Sequence, residues 1–191
     1  DISGGLAPLT PSVASKWWWP LWEAAEGLEL PVMIHASATQ SPLFHLNGSH
    51  YLAQDYAAGV ELCSSDVFDR FPDLKVIIPH GGAGLPFNKN RHRALHIQQR
   101  LVPFDEVFDR LYFDTTMYDE DALALLAKHV SADHLLLGSE MFGTGDVTDP
   151  ATGSTFDDIL PLIVRSDVTD SAHLSDLLAG NARRVFSRLP G

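Results

Sequence analysis

The chain has 191 residues, 45% hydrophobic and 20% charged, a length and composition that suit one globular domain with a real core. Thirteen Lys and Arg against 25 Asp and Glu give a net charge of −12, which excludes the basic stripe of a nucleic-acid binder and disfavours an anionic membrane surface. Cys63 is the only cysteine, so no internal disulfide exists and a reducing, cytoplasmic setting is expected; no apolar run approaches the roughly 18 residues of a membrane span.

Taken in chain order, the first predicted element is a Trp-rich helix over Lys16–Leu28, in which Trp18 and Trp22 share a face at i,i+4 spacing. An apolar run, Pro31–His35, follows as a strand. His45, Asn47, His50 and Tyr51 then fall in an expected loop, and a helix is expected over Leu52–Arg70. Val76–His80 is the second strand and Pro86–Arg100 a helix. Tyr112–Thr116 is the third strand, Glu120–Val130 a helix and His134–Ser139 the fourth strand. Gly143–Ser154 is a long polar loop, and helices over Phe156–Val164 and Ala172–Phe186 close the chain. Short continuous apolar runs alternating with helices indicate parallel βα units covered on both faces. The fold class is therefore α/β. The units form either a doubly wound sheet or part of a (β/α)₈ barrel, and four strands make only half of the latter. The chain opens Asp-Ile-Ser-Gly-Gly without an initiator Met, so a piece of a longer protein is expected.

The chemistry is concentrated at the strand ends. His35 closes the first strand, His80 the second, Asp114 stands near the end of the third, and Glu140 follows the fourth. Polar residues just beyond parallel strands collect at the carboxyl-end face, where barrel and open α/β sites are built. Histidine and carboxylate together suit a divalent ion, zinc or manganese. The run His80-Gly81-Gly82-Ala83-Gly84 lacks a G-x-S-x-G partner for a lipase reading and a lysine for a phosphate loop. It reads as a tight turn that brings backbone or ligand close to His80. Asp114 is either a buried structural acid or an orienter of a metal ligand. Cys63 reads as a small core hydrophobe.

The segments PVMIHAS, DLKVIIPHGGAGLPFNKNRHRA, LYFDTT, LLLGSEMFGTGDVTDPATG and GNARRVFSRL resemble the amidohydrolase superfamily, in the branch that holds the aminocarboxymuconate semialdehyde decarboxylases, and within it the 4-oxalomesaconate hydratases. The likeness spans essentially the whole chain, as one domain over 1–191, and corresponds to the last four strands of a TIM-type (β/α)₈ barrel. The resemblance implies that His35 is a metal ligand, that His80 beside the metal acts as an acid/base or polarises the substrate, and that Glu140 is a ligand or acid/base. Where most relatives carry Asp, the hydratase branch carries Glu, and this favours hydration over decarboxylation. It implies further that Arg91, with Arg93 as substitute, binds a substrate carboxylate, in the decarboxylase across a subunit interface, and that the enzyme is a homo-oligomer. His50 and Tyr51 are candidate substrate contacts. The expected activity is a metal-dependent addition of water to a carbon–carbon double bond of an unsaturated oxo-di- or tricarboxylic acid. A decarboxylase or hydrolase on the same scaffold is the alternative, and an inactive half-barrel fragment the non-enzymatic one. The family's His-x-His pair on the first barrel strand has no counterpart here, so the amino-terminal half of the barrel is expected to supply it.

Overall fold

The computed structural model describes residues 11–35, 48–141, 143, 146–166, 168, 170 and 173–188. His45 and Asn47 lie outside the described residues. The four apolar runs do form strands: β1 Val32–Met33, β2 Val76–Ile78, β3 Leu111–Asp114 and β4 Leu135–Leu136. They pair in parallel, in the order β1-β2-β3-β4, with Val32 opposite Val76, Ile77 opposite Tyr112 and Phe113 opposite Leu135. A doubly wound sheet reverses its strand order at a switch point; here each strand lies beside its successor throughout, which is the winding of a barrel. Strand order in the sheet thus decides between the two architectures that composition left open. The sheet is an α/β arrangement of four barrel strands, about half of a closed (β/α)₈ ring.

Helices between the strands are α1 Trp19–Gly27, α2 Ser49–Cys63, α3 Val67–Arg70, α4 Lys89–Gln99, α5 Phe104–Phe108, α6 Glu120–His129, α7 Leu160–Arg165 and α8 Asn181–Val185. The side chains of Val76, Ile78, Leu111, Phe113 and Leu135 enter one cluster with Trp22 of α1, Leu62 of α2, Phe104 and Phe108 of α5, and Leu123 and Leu126 of α6. Ile77 and Leu136, at alternate positions, enter a second, small cluster with Val185 of α8. Period-2 alternation sorts the side chains to the two faces, and the larger, helix-covered face carries nearly all the core. Cys63 belongs to that core, and burial pushes its thiol up to about 12, so it stays a neutral apolar group. Below the strands, Asn181 Nδ2 donates to the carbonyls of Ala132 and Leu135, 2.7 Å each, fastening the last helix to the start of β4.

Several expected bounds change for identifiable reasons. The strand expected over Val76–His80 stops at Ile78, because Pro79 has no N–H to donate and His80 turns into the left-handed region. The helix expected over Leu52–Arg70 is two helices. Ser65 Oγ donates to the Leu62 carbonyl and accepts from the Val67 N–H, ending one helix and starting the next. It also starts earlier than expected, so His50 and Tyr51 stand in the first turn of α2, not in a loop. The helix expected from Phe156 begins at Leu160, because Phe156 N–H is bonded to the Val147 carbonyl beside an antiparallel bridge, Thr148 to Thr155. The last helix is a π turn, Asp176–Gly180, running into α8.

Candidate active site

Because the strands are parallel, the residues that follow them all reach the same edge of the sheet. His35 follows β1, His80 follows β2, Asp114 ends β3 and Glu140 follows β4. The imidazoles of His35 and His80 are neighbours, with ring centroids 5.1 Å apart. The other side of His80 faces carboxylates: Nδ1 is 2.6 Å from Asp55 Oδ2 and Nε2 is 3.4 Å from Glu140 Oε2. Three of the residues expected at the site therefore converge, around His80.

Local backbone geometry explains how the sequence builds this. His80, Gly81, Gly82 and Ala83 have φ of 55°, 61°, 72° and 51°, four left-handed residues in succession. Side chains resist this region, and glycine does not. Space is equally short: a Cβ on Gly81 would come 2.6 Å from Met117 Sδ, and one on Gly82 2.6 Å from the Phe113 ring. The Gly-rich run is thus the tight turn that its composition indicated, and it folds the chain back so that the His80 ring stands over the sheet edge. Asp114, buried, holds the turn in place: its Oδ1 accepts from the N–H groups of Gly81, at 3.0 Å, and Thr116, at 3.1 Å. Burial raises the Asp114 pKa above the usual carboxylate value, against those two bonds and the charge of His80, which lower it. Glu140 is also left-handed, at φ 51°. Strain of this kind costs of order 1–3 kcal/mol per residue and persists where the surroundings over-determine it.

Burial tends to lower the pKa of His80, but the hydrogen bond it donates to Asp55 and the charges of Asp55, Asp114 and Glu140 outweigh it, and the net shift is upward. The ring is therefore biased toward imidazolium, with one N–H donated to Asp55 and the other directed at Glu140. Such a group can give a proton at Nε2 and recover it, while Asp55 fixes the ring's orientation.

Sequence reading missed Asp55. It lies on α2, is 1% exposed, and is the one acid in the stretch YLAQDYAAG. The signal was there: a lone carboxylate among small and aromatic residues on a helix that packs on the strand end calls for a buried partner. Tyr51, one turn earlier, stands edge-on to His35 with ring centroids 5.7 Å apart, and His50 is half-buried beside it.

A cavity of about 540 Å³ opens beside His80, walled by Leu52, Tyr56, Asn88, Thr116, Met117 and Tyr118 among others. Its size falls in the range of small-molecule sites. Tyr118 donates to the buried Asp157 at 3.2 Å, fixing that wall. Among the described residues no Lys or Arg lines it, nor do His50 and Tyr51. Arg91 is exposed on α4 and lines a different hollow, together with Arg93. The structure therefore brings His35, His80 and Glu140 together and leaves Arg91 apart from them.

Donor chemistry at this rim is right in kind for a divalent cation but short in number. Among the described residues no group of three or more His, Cys, Asp or Glu is placed to hold a metal ion. Zinc takes four ligands in structural sites and three protein ligands in catalytic ones. His35 and Glu140 alone do not make that set, so this chain does not by itself fit a complete metal centre.

The chain matches the amidohydrolase family over residues 3–188. It is 36% identical, over 180 residues, to the 2-keto-4-carboxy-3-hexenedioate hydratase of a Sphingobium species, an alignment covering 94% of this chain and 52% of that protein. Its structure superimposes on the crystal structure of 4-oxalomesaconate hydratase from Rhodopseudomonas palustris with a TM-score of 0.82 at 33% identity, again covering 94% of this chain and 52% of the other. A dihydroxybenzoic acid decarboxylase of Polaromonas, solved with bound manganese and the inhibitor 2-nitroresorcinol, shares the fold at a TM-score of 0.70 and 19% identity, over 94% of this chain and 57% of that one. The chain thus spans about half the length of the relatives it matches.

Proposed function

The chain belongs to the amidohydrolase family, and from that premise we propose that it is the carboxyl-terminal half of a metal-dependent lyase that adds water to the carbon–carbon double bond of an unsaturated oxo-carboxylic acid. The observation that carries this reading is His80 clamped between the carboxylates of Asp55 and Glu140 at the rim where His35 also arrives. Two relatives that this chain matches over 94% of its length are hydratases, which supports hydration in particular. In this reading His80 is the proton carrier. In hydration Glu140 takes the proton released by the water whose oxygen bonds one carbon, and His80 Nε2 gives its proton to the other carbon; proton transfer from Glu140 to His80, 3.4 Å away, restores both groups. Asp55 keeps Nδ1 engaged, so that only Nε2 faces the substrate. The cavity beside the ring, with Leu52, Tyr56, Met117 and Tyr118 in its wall, offers the carbon skeleton a mostly apolar surface.

The metal belongs to the proposal as well. His35 and Glu140 are this chain's donors to a zinc or manganese ion whose remaining ligands come from outside the described residues, in an amino-terminal half of the barrel. We place the substrate's carboxylates against cations from that half or from a second subunit of a homo-oligomer, because no Lys or Arg among the described residues lines the His80 cavity. A reducing cytoplasm suits the lone, buried Cys63.

The test is product analysis with the full-length enzyme and 2-keto-4-carboxy-3-hexenedioate, the compound named for the Sphingobium relative. Gain of one water without release of carbon dioxide is the expected result. His80→Ala lowers kcat by about 10²–10⁴ with metal content unchanged, while His35→Ala loses the metal. Carbon dioxide as the product would turn the assignment to decarboxylation, the reaction of the Polaromonas enzyme on the same fold.

A further inference from the structure

β3 runs out into Asp114-Thr115-Thr116, all three buried, and consecutive side chains there serve the ends of both neighbouring strands. Asp114 Oδ1 accepts from the Gly81 N–H at 3.0 Å and so holds the turn that carries His80. Thr115, 0% exposed, does the equivalent on the other flank: its Oγ1 donates to the Gly138 carbonyl and accepts from the Gly138 N–H, 3.2 Å each. Ladder pairing has already stopped at Leu136, so one hydroxyl takes over both backbone groups of a residue beyond β4. Glu140 stands two residues further on. The fit is close: a Cβ on Gly138 would come 2.5 Å from Thr116 Oγ1 and 3.1 Å from Asp114 Cβ.

On its other side Glu140 is shaped by Gly143. Glu140 is left-handed, and its carbonyl accepts from the Gly143 N–H at 2.6 Å, closing a tight turn. Gly143 is itself exposed and its φ lies outside the left-handed region, so backbone conformation does not demand glycine there. Space does. A Cβ at position 143 would collide with Glu140 Cγ and come 2.6 Å from Oε1. The Glu140 side chain therefore lies back over position 143, and from that pose Oε2 meets His80 Nε2 at 3.4 Å.

We propose that Thr115 and Gly143 are positioning residues of the reaction: Thr115 fixes where the Glu140 backbone stands, and the bare Cα of Gly143 leaves the room its carboxylate needs to reach His80. Each acts through Glu140. The proposal rests on the reading of His80 and Glu140 as proton partners. Proton transfer between two side chains needs them within hydrogen-bond reach, and a misplacement of about 1 Å can cost about 10²-fold in rate. One strand end thereby sets the spacing of acid and base, Asp114 holding the turn of one partner and Thr115 the segment of the other.

Steady-state kinetics of the full-length enzyme with 2-keto-4-carboxy-3-hexenedioate, and crystal structures of the same variants, test it. Thr115→Val, which keeps the shape and loses the hydroxyl, and Gly143→Ala each lower kcat about tenfold or more, with KM changed by less than about threefold. Thr115→Ser keeps the hydroxyl and recovers the wild-type kcat. Added to an impaired Glu140→Gln enzyme, Thr115→Val and Gly143→Ala cost less than about twofold further, because the group they place is already disabled. An equal loss in both backgrounds, or an unchanged kcat in either single variant, overturns the proposal. Gly143 is exposed, so Gly143→Ala tests the idea even where the buried Thr115→Val does not fold. The crystal structures read the placement directly: the Glu140–His80 separation widens in Thr115→Val and Gly143→Ala, and a wild-type separation in both overturns the proposal. If this substrate is not turned over, or Glu140→Gln leaves kcat unchanged, the proposed function is what fails, and that separation alone decides the placement.

Discussion

At the scale of single residues, the site is defined by what surrounds one imidazole. Asp55 Oδ2 sits 2.6 Å from His80 Nδ1, is almost wholly removed from water, and helps hold the ring's pKa above its ordinary value of 6.5. Asp55→Asn keeps the shape and removes the charge, so His80 should titrate at lower pH, as read by NMR of the ring protons. The linked stability has a definite sign. A histidine whose folded pKa is raised stabilises the fold fully below 6.5 and loses that contribution as pH rises through the raised value. The stability gap between wild type and Asp55→Asn, measured by denaturant titration, should therefore be larger at pH 6 than at pH 9. An equal gap at both would show that the charge of Asp55 does not act through His80.

Elements form where their ends are satisfied. α6 is the clearest case: Asp119, in extended conformation, accepts from the Ala122 N–H at 2.9 Å, Glu120 and Asp121 fill the first turn, and Lys128 and His129 the last. Each end thus complements the helix dipole, and Leu123 and Leu126 bury the inner face. Asp119→Ala removes the cap and should cost about 1 kcal/mol in denaturant unfolding; a change below a few tenths would show that the dipole complement alone suffices. α6 was legible in the sequence to within one residue because periodicity, cap and charge agreed. α5 was not. Its five residues, Phe104–Phe108, are too few to show a period, and the helix exists because Phe104 and Phe108 stack into the core, their ring centroids 5.7 Å apart.

At the scale of the whole molecule, the sheet formed by the described residues has two open flanks. Among the described residues β1 pairs only with β2 and β4 only with β3, so each outer strand presents unpaired backbone, and Met33 on β1 is 49% exposed. Open apolar edges pair with whatever strand arrives. The chain expressed alone should therefore self-associate as its concentration rises, and Met33→Lys should reduce this, as followed by analytical ultracentrifugation. A strictly monomeric chain at high concentration would show that these edges are already protected. No helix among the described residues is long and apolar enough to cross a membrane.

Sequence alone determined that the chain is built of parallel βα units, because buried strands must be apolar on both faces and their polar successors must emerge at one end. It also determined that His35, His80 and Glu140 share that end, since residues after parallel strands have nowhere else to go. Tertiary structure decided the rest. Strand order is a matter of which edges pair, and pairing between distant segments leaves no local trace in any one of them; only the fold shows β1-β2-β3-β4. Asp55 reaches His80 from 25 residues away, and Arg91, 11 residues after His80, turns to a different hollow. Contacts of that kind depend on how helices rotate as they pack against the sheet, and that angle is set by the complementary shapes of many side chains acting together.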